Sequence, residues 1–534
     1  MAISQETTKQ LVVIHGWSGI VLGILLYAVL VTGMVAVFSE EISHWSAGLV
    51  NIDNPIAPQS GDATPIQDII DRLEPKVDPE FIEEVALSGT THGDLNIFFH
   101  RHQTNAEGVI EEYGTSFDVD PVSGEVLEEK TGSGLEFFYT DEDRALSRFL
   151  VSVHTELHLP RPWGLLLTGI LGLMMMVAAV SGLIMHRHLL KDIFTLRRHN
   201  ALLAVKDTHT VAGSWGLPFA FVLAFTGSFF SFAGSVGLPI MAMVGFGGDQ
   251  EKMFEVIIGS QAEENTTPQK GPAVDHMLRD VKQRAGLEAD FVVIEHYGRA
   301  DASANFFLPA PQESLSGDTL VYQGATGEFI KRKPFLGQQE SVGSDLFSIM
   351  GPLHFGNFGG LVSKAIWFAL GFAMCFVTVT GINMWLERRP GKSFAWLRIG
   401  MGIATYGIPL ALLGSSAAFF LSYGSGNASF WTPVGFLIVS AGVLVYAGWL
   451  RDTFRLNQHF LLASGVMSLV VVALRLLVGG PGWMTALQAG QSIIVTVDLL
   501  LICAGAVMLY RYRAHAAIAR LDTRSQMVEP VSAG

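Results

Sequence analysis

Eight long apolar runs constrain this 534-residue chain more than any other feature. They lie at residues 11–38, 163–186, 209–232, 361–386, 396–421, 430–450, 460–477 and 486–510. A helix rising about 1.5 Å per residue crosses a bilayer in about 20 apolar residues, so each run is long enough to be a membrane span. Composition agrees: 49% of the chain is hydrophobic and only 16% is charged, against about 25% charged in an ordinary soluble protein. The net charge of −15 excludes a polybasic nucleic-acid binder. Two cysteines with no CxxC exclude a disulfide scaffold, a thiolate cluster and covalent c-type haem attachment. The first run is not expected to be a cleaved signal peptide, being too long and lacking both a basic n-region and a small-residue cleavage site.

Lysine and arginine in the short loops set the orientation. Arg187, Lys191, Arg197, Arg198 and Lys206 fall in the 187–208 loop, and Arg388, Arg389 and Lys392 link the fourth and fifth runs. Arg451 and Arg455 follow the sixth run, and Arg511, Arg513 and Arg520 lie in the tail, 511–534. All share one side if both termini are cytoplasmic, whereas the opposite short loops, 422–429 and 478–483, carry no basic residue. Two polar stretches, 39–162 and 233–360, are then outside. The first is acidic, with Glu40, Glu41, Glu83, Glu84, Glu111, Glu112, Glu128 and Glu129 among its charges, which reads first as a solvated surface.

The chain repeats itself. The segment 14–33 aligns with 208–227, each with a histidine in second place and a Thr-Gly pair at its end; His15 to Gly33 and His209 to Gly227 are both eighteen residues. The segment 154–187 aligns with 354–388, where Ser181-Gly182 stands in for Thr380-Gly381. A unit of span, outer domain, span therefore occurs twice and predicts a pseudo-symmetric four-helix core. The block 396–510, with its four spans, has no counterpart. Inside the polar stretches, 117–129 reads as strand, Asp-Pro-Val-Ser-Gly turn, strand, and 320–332 repeats it around Gly324-Ala-Thr-Gly327. A helix precedes each (65–73 and 273–285), as does a further strand (95–99 and 305–308). The expected fold class is a polytopic α-helical membrane protein of about eight spans with two small outer α+β domains.

Histidine at membrane depth is a functional candidate by default. His15 and His209 sit at the inner ends of the first and third spans, while His154 and His354 lie just outside the second and fourth. Pseudo-symmetry pairs His15 with His209 and His154 with His354. Two imidazoles facing each other across a bundle can fill both axial positions of a haem iron, which suits electron transfer because oxygen finds no open position. Neighbouring glycines (Gly16, Gly19, Gly213, Gly216, Gly356, Gly359) would admit a flat macrocycle. The bland alternative is a set of interfacial histidines with ring nitrogens in the headgroup zone. Zinc is disfavoured because no HExxH or companion carboxylate motif is near. His158, four residues after His154, is a substitute ligand on the same helix face, and His186 ends the second span beside the basic loop. His100-Arg-His102 alternates as on one strand face and offers a weak ligand contact. Arg475 and Asp498 form an expected intramembrane ion pair.

At these residues the chain resembles the PepSY-associated transmembrane-helix family of bacterial inner-membrane proteins, also called iron-regulated membrane proteins or siderophore reductases. The resemblance runs from about Gln10 to Arg389, including both turn segments and all four histidines; the second outer stretch lacks the Asp-Pro of the turn, and the last four spans lie outside the match. It implies two PepSY-like periplasmic domains, two haems b held by His15, His209, His154 and His354, and reduction of a ferric siderophore or similar chelate at the periplasmic face of the inner membrane. The expected function is thus a di-haem oxidoreductase that takes electrons from a quinol or cytoplasmic reductase. No GxGxxG follows a strand, so the donor is external. Two rivals remain open: a non-enzymatic membrane protein whose outer domains bind a periplasmic partner, and a cytochrome b subunit serving another enzyme.

Overall fold

A computed structural model of the chain describes residues 4–48, 56, 64–90, 92–104, 110–185, 193–197, 200–257, 264–310, 315–389, 392–478 and 480–528. The chain divides into two compact units: residues 1–48, 142–231 and 365–534 form the first, and 49–141 with 232–364 form the second. His186 and the loop residues beside it lie outside the described residues.

Among the described residues, seven helices are long and apolar enough to cross a membrane: Trp163–Ile184, Leu217–Phe246, Gly360–Glu387, Ala395–Ser422, Ala428–Leu450, Thr453–Val478 and Ser492–Ala514. An eighth is counted if the bent pair Gln5–Val21 and Gly23–Ala36 is one span. Large apolar side chains such as Val244, Leu477 and Trp449 stand at least three-quarters exposed on these helices, which is tolerable only where lipid replaces water. The protein is a membrane protein.

Three helices depart from the straight spans expected of the sequence. The first run bends by 65° at Leu22, whose backbone (φ −120°, ψ 13°) leaves the helical region one residue before Gly23. The third run breaks near Gly216, so His209 rides on a separate helix, Ala201–Trp215, and the apolar helix continues to Phe246, beyond the expected end at 232. Two wide turns of π-helix, Ala233–Gly237 and Ile403–Gly407, each precede a proline (Pro239 and Pro409). Proline has no N–H to donate and crowds the preceding turn, and a local widening absorbs both effects.

The first unit is built around an apolar layer that joins all four repeat helices. Leu26, Tyr27 and Leu30 pack with Leu171 and Met175, with Phe219, Ala220 and Ala224, and with Met374 and Cys375. A second cluster joins Trp45 and the helix Ala145–Glu156 to the C-terminal helices through Phe149, Leu150, Phe419, Phe420 and Val471. At its edge Arg475 and Asp498, both fully buried, pair at 2.6 and 2.9 Å, and the Asp498 carboxylate also accepts the indole N–H groups of Trp45 and Trp483. The expected intramembrane ion pair is present.

The second unit carries one eight-stranded antiparallel sheet. Its strands are β1 (Glu84–Gly89), β2 (Leu95–Thr104), β3 (Ile110–Val119), β4 (Val126–Ser133), β5 (Phe291–Glu295), β6 (Ser303–Phe307), β7 (Asp318–Gln323) and β8 (Phe329–Pro334). The order is β4-β3-β2-β1-β5-β6-β7-β8. Both polar stretches therefore share one sheet, joined where β1 meets β5 with Val85 opposite Ile294 and Leu87 opposite Val292. Two helices, Ile66–Leu73 and Val274–Ala285, bury equivalent stripes on it: Ile66, Ile69, Ile70, Leu73 and Val274, Met277, Leu278, Val281. Each fully buried aliphatic side chain contributes about 1.5–3 kcal/mol.

The helix starts are capped reciprocally across the repeat. Pro65 and Ala273, at the N-cap positions, have no capping side chain. Asp275 instead accepts the N–H groups of Ile66 and Gln67 at 3.0 Å, while the Gln67 side chain accepts the N–H of Val274 at 3.2 Å. The two strand turns also match. Asp120 accepts the N–H of Ser123 before Gly124 (φ 70°), and Gln323 accepts the N–H of Thr326 before Gly327 (φ 72°). A glutamine thus takes the place of the aspartate missing from the second turn.

Candidate functional site

Three of the four repeat-matched histidines sit in the same local arrangement. His15, on the helix Gln5–Val21, places Nδ1 2.9 Å from the carbonyl of Ala178. His209 places Nδ1 3.0 Å from the carbonyl of Val377 and 3.2 Å from the Thr380 hydroxyl. His154, on the helix Ala145–Glu156, places Nδ1 3.0 Å from the carbonyl of Val29. Each accepting carbonyl is followed three residues on by a Ser or Thr and four residues on by a Gly: Ala178, Ser181, Gly182; Val377, Thr380, Gly381; Val29, Thr32, Gly33.

Both small residues have a physical role. The Ser181, Thr380 and Thr32 hydroxyls donate to the carbonyls three and four residues back, so the one that accepts the imidazole is shared with a hydroxyl of its own helix. The glycine then makes room for the ring. A Cβ would lie 3.0 Å from Cε1 of His15 at Gly182, 3.0 Å from that of His209 at Gly381, and 2.7 Å from that of His154 at Gly33. All three are tighter than ordinary van der Waals contact, so glycine is the residue that allows the close approach. By sequence, the matching positions of the third span are Leu223, Thr226 and Gly227. Thr226 donates to the carbonyls of Val222 and Leu223 as its counterparts do.

A carbonyl only accepts, so Nδ1 is the protonated nitrogen and Nε2 carries the lone pair. Metal-bound histidines commonly have this second hydrogen bond, which fixes tautomer and ring orientation. The His15 and His209 ring centres are 6.2 Å apart, with planes at 78°. Two imidazoles on opposite sides of one metal require about 6.3 Å, from a bond of about 2.0 Å and about 1.15 Å from nitrogen to ring centre, counted twice. The expected inner pair is therefore brought together at a separation that fits a shared iron. A cavity of about 560 Å³ adjoins both rings, floored by small residues such as Gly16, Gly182 and Gly381; it is in the range of cofactor sites. Lys206, Arg388 and Arg389 line it together with Trp17 and Trp385, and the Arg389 guanidinium stacks 4.0 Å from the Trp385 ring centre. Apolar walls with cations among the lining residues suit a planar apolar group bearing carboxylates.

His354 lies on the helix Val342–Phe355, which begins with a Ser341–Ser344 capping box, and its ring meets Phe355 at 5.6 Å. It belongs to the second unit and His154 to the first, so their pairing rests on the repeat. Burial pushes the His154 imidazole below its ordinary pKa, against the opposite pull of the Val29 carbonyl. His158 does not share the His154 face, because the helix ends at Glu156 and both Leu157 and His158 are left-handed (φ 51° and 54°). Its ring packs on Phe149 at 5.2 Å and its Nδ1 meets the Ser152 hydroxyl.

Sequence reasoning found the histidines and the Ser/Thr-Gly landmarks but not that the landmarks seat the rings. The signal was available: the landmarks fall at the same phase of the repeat in all four spans. The C-terminal block also acquires a role, since the turn between its first two helices braces the start of the His154 helix. Glu142 accepts the N–H groups of Gly424 and Ala428, Tyr423 donates to Asp143, and Arg148 donates to the Ser429 hydroxyl at 3.0 Å.

Helices of spanning length, a duplicated hairpin and histidines held against carbonyls of its helices define a polytopic membrane protein. Residues 12–388 match the PepSY-associated TM region family, and the chain belongs to it. It is also similar to an uncharacterized protein of Pseudomonas aeruginosa, PA4219, with 23% identity over 378 residues that cover 67% of this chain and 92% of that protein.

Proposed function

We propose that the chain is a di-haem oxidoreductase of the bacterial inner membrane, passing electrons outward to a ferric siderophore or similar chelate and so releasing its iron. The observation that carries this reading is the His15–His209 pair, 6.2 Å apart beside a cavity of about 560 Å³, with each Nδ1 held by a carbonyl. His15 and His209 would hold the inner haem, and His154 and His354 the outer one. A haem b held by these imidazoles would supply one-electron transfer. The protein's own part is to fix the imidazoles. The carbonyls of Ala178, Val377 and Val29 hold each ring in the tautomer whose Nε2 is basic, and Lys206, Arg388 and Arg389, which line the cavity, would provide cations for carboxylates. The apolar layer of Tyr27, Leu171, Phe219 and Met374 keeps water out of the bundle between its ends.

Each ferric ion accepts one electron, given by a quinol or a cytoplasmic reductase. The resulting Fe(II) is held weakly by hard siderophore oxygens, so the chelate lets it go. A visible spectrum of the detergent-purified protein tests the proposal. The expected result is a Soret band with separate alpha and beta bands on dithionite reduction, reduced by about one haem per chain in His15→Ala and in His354→Ala. A colourless protein made with ample haem supply sinks it and favours the partner-binding reading. Haem without chelate reduction, when reductant is supplied, favours a cytochrome subunit.

A further inference from the structure

On the second unit's sheet, far along the chain from the spans, two histidines and a glutamate converge. Glu84 stands at the start of β1 directly opposite His100 of β2, and His102 follows two residues on, so both imidazoles share one face of the strand. One carboxylate oxygen of Glu84 lies 3.3 Å from Nε2 of His100, and the other lies 3.6 Å from Nδ1 of His102. One donor atom from each of the three residues lies within 4.8 Å of the other two. For metal–ligand bonds of about 2.1 Å, adjacent donors are about 3.0 Å apart in an octahedron and about 3.4 Å in a tetrahedron. Small rotations of the exposed side chain would therefore close the set around one ion.

We propose that Glu84, His100 and His102 form a binding site for a divalent first-row transition ion, separate from the histidines of the bundle. Three features argue for more than a carboxylate bridging two surface histidines. The His100 side chain is only 2% exposed, and burying a polar ring is costly unless its nitrogens are engaged. Both of them are: Nδ1 lies 3.3 Å from the Phe98 carbonyl and Nε2 lies 3.3 Å from the Glu84 carboxylate, while the ring stacks on Phe98 at 4.6 Å with planes 14° apart. The carbonyl directs Nε2 toward Glu84, as outer-shell carbonyls do for metal-bound imidazoles. The third ligand supplies the entrance. His102 is 33% exposed, and Glu112 faces it across β2 and β3, adding a second carboxylate on the open side. Two imidazoles and a carboxylate, with positions left for water or a chelator, select Fe(II), Co(II), Ni(II) or Zn(II) over Mg(II) or Ca(II).

Co(II) titration of the tag-free, detergent-solubilised full chain tests the proposal, read by the visible d–d bands of the bound ion and by cobalt per chain after desalting. The expected result is one Co(II) displaced by Zn(II) but not by Mg(II), with affinity lowered about tenfold or more in His102→Gln and in Glu84→Gln. His102 is the most exposed of the three, so its replacement leaves the sheet intact; circular dichroism of each variant verifies this. Absence of cobalt from the wild-type chain overturns the proposal, as does equal affinity in both folded variants. Haem content is measured on the same samples, so a cobalt-free protein that keeps its haem refutes this site alone.

Discussion

Replacing Gly33 by alanine tests whether the glycine of the repeated motif is what seats the imidazole. The added Cβ would lie 2.7 Å from Cε1 of His154, and an ordinary contact needs at least about 3.4 Å, so the ring must retreat by about 0.7 Å. The Nδ1 to Val29 carbonyl distance, 3.0 Å, would then approach about 3.7 Å, beyond hydrogen-bonding range. Losing that bond costs about 1 kcal/mol by itself. Outer-shell partners of metal-bound histidines are worth about 10–100-fold in metal affinity, or about 1.4–2.8 kcal/mol. Gly182→Ala and Gly381→Ala bring the Cβ to 3.0 Å, need a shift of only about 0.4 Å, and should lose less. Gly442→Ala is the control, because its Cβ meets nothing within 4 Å. Haem per chain from pyridine haemochromogen spectra, and electron paramagnetic resonance of the ferric state, would read occupancy and ring orientation. The expected order of loss is Gly33→Ala, then the two inner-site variants, then none in the control. Full occupancy and an unchanged resonance in folded Gly33→Ala would refute the seating argument.

Three further perturbations follow from the packing. Arg475→Leu leaves the fully buried Asp498 with two indole donors and no cation, so it should destabilise the first unit by about 3–5 kcal/mol, while the double change with Asp498→Leu should recover much of this; thermal unfolding in detergent measures both. Lys333 is buried and burial lowers its pKa to about 8 from 10.5. The unfolded chain therefore holds more protons between these values, and stability of the second unit should rise by about 3 kcal/mol as pH increases from 8 to 10.5. Lys333→Met should abolish that slope, whereas an unchanged slope rules out Lys333 as its source. Asp275→Ala removes both acceptors from the start of the helix Ile66–Leu73; a loss of about 1–3 kcal/mol is expected, with faster amide exchange in that helix and not in the C-terminal helices.

Hydropathy located the spans but not their breaks. The first run is apolar on both sides of Leu22, so its composition says nothing of the 65° bend; that depends on one residue's backbone and on Gly23 packing against Ile382. The third run shows the opposite error. Small and apolar residues continue from Ala233 to Phe246, and the boundary at 232 separated them from a helix they extend. In the second unit, alternation revealed the strands beside tight turns, but β1 and β5 were missed. Both are short, the turns that follow them at Gly93 and Gly298 were not read as strand ends, and the two strands pair with each other more than 200 residues apart in the chain. For the same reason, fusion of two polar stretches into one sheet was not legible.

The histidines were legible because a duplication marks them, and the structure gives the duplication a mechanical meaning. His15 rests on a carbonyl of Trp163–Ile184, and His154 on one of Gly23–Ala36, both within the first copy. His209 rests on Gly360–Glu387 within the second. Each ring is therefore oriented by its own copy, whereas the 6.2 Å approach of His15 to His209 is made between copies. A two-ligand site arises in this way without either copy needing to encode both ligands, and a defect in one seat should disturb one ligand while leaving its partner's hydrogen bond in place. This is why the glycine substitutions, more than removal of a histidine, discriminate between rings that are held for a metal and rings that merely occupy a helix end. An interfacial histidine needs neither the carbonyl nor the gap above the glycine.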